Sequence, residues 1–168
     1  MVRNAIWTVV VVVAALVQST WPDFLKVQGV VPELVLMLVV YFAIAAGEER
    51  AMFTGALGGL YQDVASKAVL GHNVFCLVLT GYAVGRLSTR LVTDHPAVKA
   101  GLVFLAGVAQ GALHTIITDI QEPSTLVLAT IISSVIPASF YTALITPFVF
   151  VLMDRLFSGK SQPQGSTA

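Results

Sequence analysis

Charge is what this sequence has least of. Of its 168 residues only 11% are Asp, Glu, Lys or Arg, against about 25% in an ordinary soluble domain. So few charges cannot clothe a water-soluble globule of this size, which excludes water as the solvent for most of the outside. Neither sign is in surplus, since nine Lys plus Arg stand against nine Asp plus Glu. Without a basic stripe to displace counterions, nucleic acid is excluded as a partner. Cysteine is nearly missing too. Cys76 is alone and sits in an apolar run, which excludes a disulfide framework. The marks of chemistry are also lacking. There is no H-E-x-x-H, no second histidine three or four residues from His72, His95 or His114, no G-x-S-x-G and no glycine-rich phosphate loop. The sequence thus predicts no catalytic, cofactor or metal site.

What is abundant is apolar sequence, 57% of the chain, with a mean hydropathy of +0.87. A helix crossing hydrocarbon needs about 20 mostly apolar residues, and the sparse charges mark where such helices begin and end. Asn4 to Pro22 is the first span, with Trp7 and Trp21 suited to its interfaces. Arg3 followed by an apolar stretch also resembles a signal peptide, but no A-x-A site follows it. The second span starts at Pro32-Glu33 and runs to Gly47. A third, after Arg50, holds only twelve uncharged residues before Asp63, so it is short or carries Asp63 near its far end. Lys67 to Arg86 and Lys99 to Asp119 bracket the fourth and fifth. Pro123 to Met153, uncharged over thirty-one residues, is too short for two spans and reads as one long, tilted or kinked span. Pro137 and Pro147 are its expected bends, and its start near Pro123 is expected to be irregular. Residues 1–157 therefore form one six-helix, all-α membrane domain, and the polar stretch 158–168 a mobile tail.

Six spans put both termini on one side. That side collects Arg3, Arg50, Arg86, Arg90, Lys99, Arg155 and Lys160, and the other only Lys26 and Lys67. Positive loops stay in the cytoplasm, so both termini are expected inside and Asp23, Glu33, Asp63, Asp119 and Glu122 near the outer ends.

Lipid is as apolar as leucine, so membrane helices are held together largely by close approach through small residues. Three successive spans carry a G-x-x-x-G pair: Gly55/Gly59, Gly81/Gly85 and Gly107/Gly111. Packing within the chain and a protein–protein face both fit such pairs. Three in a row predict a tight centre built from spans three, four and five. Asp63 stands at the unfavourable, negative end of its helix dipole. Either Lys67 pairs with it, or its carboxylate accepts N–H bonds from the turn around Gly71. Glu33 suits a helix N-terminus and, like Asp63, is a candidate partner contact. His114 and the glutamines Gln18, Gln62 and Gln110 read as hydrogen-bond formers between helices. Ser133, Ser134, Thr130 and Thr142 read as side chains bonded to carbonyls near the proline bends.

Taken in order, these motifs resemble the MreD family of rod shape-determining membrane proteins. Val31-Pro32-Glu33-Leu34 leading to Tyr41 is similar to the family's second helix, and Gly55 to Asp63 to its glycine-rich third. Leu70-Gly71 and Gly81-Tyr82 follow as its loop and fourth helix do, and Phe140 to Pro147 is similar to its closing segment. Two positions depart: Glu33 replaces the commoner Asp or Asn, and Thr142 replaces Asn. The resemblance implies a fold similar to the S components of vitamin (ECF-type) transporters. It implies a non-enzymatic scaffold in the bacterial cytoplasmic membrane, without cofactors. The partners implied are MreC, the RodA glycosyltransferase with its class B penicillin-binding protein, and MreB; dimerisation is left open. The alternative is a small-molecule-binding subunit of a transporter. An outward cavity lined by Gln, Asp and His, rather than filled by Leu and Phe, would favour that alternative.

Overall fold

The computed structural model describes residues 2–20, 31–66, 70–90, 95–121 and 127–157, and every regular element among them is a helix. They are α1 (Val2–Ser19), α2 (Leu34–Ala46), α3 (Glu48–Ser66), α4 (His72–Ser88), α5 (Pro96–Gln121), α6 (Val127–Thr130) and α7 (Ile136–Phe157). A π-helical turn, Ile131–Val135, joins α6 to α7, so Val127–Phe157 is one rod and the described residues form six helical rods. Pro96–Ile120 and Val127–Phe157 are long and apolar enough to cross a membrane. Successive rods run in alternate directions, so α1 begins and α7 stops at the same end of the bundle. We call that the terminal end and its opposite the far end. Segment 122–126 and the tail 158–168 lie outside the described residues, as does Lys67.

α2 is apolar on every side, and a helix of that kind is stable only when surrounded. Every residue from Val35 to Ala43 is buried. The centre of the bundle is therefore α2, and not spans three to five as the glycine pattern suggested. Glycines allow helices to approach but give little area to bury, whereas the leucines and valines of α2 fill the middle. At 13 residues, α2 is only about 20 Å long. Its last turn passes into α3 through Gly47, whose φ of +88° falls where side chains are strained. α3 resolves the puzzle of the third span: it is 19 residues long and carries Asp63 in its last turn.

The glycine pairs occupy seams within the bundle. A Cβ added to Gly55 would stand 2.7 Å from the Leu77 carbonyl oxygen, and one on Gly59 2.7 Å from the Val74 nitrogen. The fit is mutual, because a Cβ on Gly81 would lie 3.0 Å from the Ala51 carbonyl and one on Gly85 2.6 Å from the Glu48 Cβ. α3 and α4 thus lock backbone to backbone along their whole length. Gly107 and Gly111 meet Ser139 and Val135 of the sixth rod instead. α1 packs on α2 and α3, α5 packs on the sixth rod, and α2 and α4 connect the two groups.

The sixth rod is continuously helical past both prolines that mark its expected bends. Its irregularity is the π turn ending just before Pro137, where Ile136 N–H bonds to the Ile131 carbonyl. A widened turn accommodates a ring that brings no N–H donor and would clash with the preceding turn. Pro147 lies inside α7 without interrupting it.

At the terminal end the bundle is closed. Tyr41 donates to the Asp154 carboxylate at 3.0 Å, and its ring meets Phe42 and Phe150 edge-on, each with centroids 5.3 Å away. Arg50 lies 4.7 Å above the Trp7 ring and donates to Asn4 Oδ1 at 2.8 Å. Large apolar side chains, among them Phe148 and Ile120, cover the outside and are mostly exposed. A surface of that kind suits lipid or a partner rather than water.

Candidate functional site

Asp63 builds the far end. It is 1% exposed, and its carboxylate accepts four hydrogen bonds from the start of α4. Gly71 N–H donates to Oδ2 at 2.8 Å. Asn73 donates to Oδ1 twice, from its backbone and from Nδ2, each at 2.9 Å. Val74 N–H reaches Oδ2 at 3.4 Å. The first N–H groups of any helix lack intrahelical partners and carry the positive end of its dipole. A carboxylate held at the close of α3 therefore caps α4. Of the two ways to offset Asp63 that the sequence offered, the backbone N–H bonds are present. Gly71 makes the turn possible with a φ of +99°.

Beside this cap a cavity of about 860 Å³ opens at the far end. It lies over the start of α2, between α1 and the sixth rod. Gln18, Glu33, Gln62, Asn73, Gln110, His114, Thr115, Ser133 and Ser134 line it. Some of this wall is already committed. Gln18 Oε1 accepts the Val35 N–H at 3.0 Å, so α1 caps α2. Glu33 N–H donates to Thr142 Oγ1 at 3.1 Å, and that hydroxyl donates to the Ala138 carbonyl at 2.7 Å. The two positions where the sequence departs from the family pattern are thus in contact with each other. Gln110 Oε1, another atom of the wall, is buried with no hydrogen-bond partner, and so is His72 Nε2, which lies outside the wall. His72 stacks on His114, with centroids 4.3 Å apart. No group of three or more His, Cys, Asp or Glu among the described residues could hold a metal ion.

The candidate residues thus separate. The six glycines lie in seams and Asp63 is consumed by the α4 cap; of the candidates only Glu33 and, at the edge of its seam, Gly111 border the cavity. Sequence reasoning missed the His72–His114 stack and the part played by Asn73. Two spacings carried the signal: Gln110 and His114 are four apart and share a helix face, and Asn73 is the second residue of a helix whose cap is an acid. A second depression, about 400 Å³ and apolar, runs between α4 and α5. Leu79, Ala83, Leu87, Leu105 and Ala109 are among its walls.

Helical rods with an apolar exterior, a glycine-locked seam and a polar cavity at one end describe a membrane-embedded helical bundle. The family model for rod shape-determining protein MreD matches residues 1–157. The chain belongs to the MreD family, a membrane protein family of rod shape determination. Comparison with curated proteins and with solved structures returned no match.

Proposed function

We propose that this chain is a non-enzymatic scaffold of the rod-shape and peptidoglycan-elongation complex. On this reading it crosses the bacterial cytoplasmic membrane six times with both termini inside, in an arrangement similar to S components. It binds MreC and couples it to RodA, the class B penicillin-binding protein and MreB. The apolar α4–α5 groove suits a single membrane helix, and the far-end cavity suits the polar residues that follow such a helix out of the bilayer.

The cavity is the observation that carries this proposal. Buried polar groups without partners are costly in a bilayer, and a void with unmet acceptors calls for an occupant. Gln and His in its wall also meet part of the mark set for a transporter subunit. Asp63, however, is withdrawn into the α4 cap, and membership of a shape-determining family favours the scaffold. The test is co-purification with MreC, from detergent and in lipid discs, of the wild type and of Ala138→Trp, which fills the cavity. Retention by the wild type and loss in the variant, at unchanged melting temperature, is the expected result. Failure of MreC to associate at matched expression would overturn the scaffold.

A further inference from the structure

The formal charge of the cavity wall is one-sided. Glu33 is the only formally charged side chain among its described lining residues, which include no Lys or Arg. The neighbouring carboxylate, Asp63, already holds four donors, so Glu33 is the carboxylate left over. Gln110, 5% exposed, adds an oxygen acceptor with nothing donating to it. The Ser133 and Ser134 hydroxyls, also in the wall, can each accept as well as donate. A site with one carboxylate, an unmet amide oxygen and no Lys or Arg in its described lining is complementary to a cationic donor. Lysine and arginine side chains are such groups.

We propose that the far-end cavity receives a cationic side chain, a lysine or arginine in the membrane-proximal extracytoplasmic segment of MreC, with Glu33 as its counter-charge and Gln110 Oε1 as a further acceptor. This rests on the reading that MreC docks at this end. It adds the chemistry by which the two chains recognise one another. A cation is also selective there. A neutral side chain would leave Glu33 without a counter-charge, and an acidic one would face it as a like charge.

The experiment measures the affinity of MreC for the full chain in lipid discs and is chosen to separate the two ideas. Glu33→Gln keeps the backbone N–H that donates to Thr142, so the variant folds, which its melting temperature checks. Expected is a loss of affinity of about ten-fold or more for Glu33→Gln and a larger loss for Glu33→Lys. Each Lys and Arg of MreC within about ten residues of its outer membrane boundary is then replaced by Glu, one at a time. One of these is expected to restore binding to Glu33→Lys while weakening binding to the wild type. Gln110→Leu is expected to weaken MreC binding without lowering the melting temperature. If MreC binds Glu33→Gln and Glu33→Lys as it binds the wild type, or if no partner substitution rescues, the cation is wrong even though the scaffold stands. Co-purification of an aminophospholipid with the wild type but not with Glu33→Gln, with MreC affinity unchanged, would overturn it in favour of a lipid headgroup. If the wild type does not bind MreC at all, the scaffold itself fails.

Discussion

At the terminal end, aromatic rings and paired charges fill the space between helices: Tyr41 on Asp154, Arg50 over Trp7, and Arg86 within 3.6 Å of Glu48. At the far end the same rods spread around about 860 Å³ of polar space, with Gln110 and His72 holding unmet atoms. One chain thus treats its two ends by opposite rules. Closure with satisfied groups stabilises the folded chain by itself. Polar groups left without partners lower its stability and become satisfied only by something added. The contrast teaches where to look for function in a bundle with no catalytic motif, namely where packing is deliberately incomplete.

The sharpest way to break this comparison is to break the seam joining both ends. Gly59→Leu drives a side chain into the α4 backbone, and over-packing of this kind costs about 3 kcal/mol or more. Loss of monodisperse protein in detergent gel filtration is the expected outcome, and normal folding would show that α3 and α4 are not locked as described. Next comes Asp63→Ala, which strips the α4 cap. Several donors lose their acceptor at once, for about 3 kcal/mol, read as a fall in melting temperature with weaker hydrogen-exchange protection at 72–76. Tyr41→Phe sharpens the other side. It removes one hydrogen bond from the closed end and should cost about 1 kcal/mol while leaving MreC binding untouched. Reduced partner binding in that variant would mean the two ends are coupled. The smallest effect belongs to Glu48→Gln. The Glu48–Arg86 pair is largely exposed, and such pairs rarely register, so the melting curve should be unchanged.

The elements were legible in the sequence because lipid-compatible helices need long uncharged runs, and so few charges left little freedom in placing them. The alternation of those runs gave the rods and Asp63 its place near a helix end. What stayed hidden has physical reasons. Composition alone showed α2 to be apolar, but that it is encircled depends on five other helices. The G-x-x-x-G spacing shows a close approach without saying to which neighbour. Gly55 and Gly59 meet α4, whereas Gly107 and Gly111 meet the sixth rod. Pro137 marked an irregularity, but that it takes the form of a π turn depends on backbone hydrogen bonding that no residue type spells out. The cavity wall joins Gln18 to Ser134 across six segments of the chain, a convergence no local pattern encodes.

The brevity of α2 has a consequence of its own. A middle helix of 13 residues, ringed by helices that are all longer, from 17 residues in α4 to 31 in the sixth rod, leaves a well above its first turn. The depth of that well is arithmetic. One extra turn before Leu34 would raise its floor by about 5.4 Å. Receptor depth in this architecture is therefore set by a count of backbone residues, and the lining side chains choose only what the well will admit.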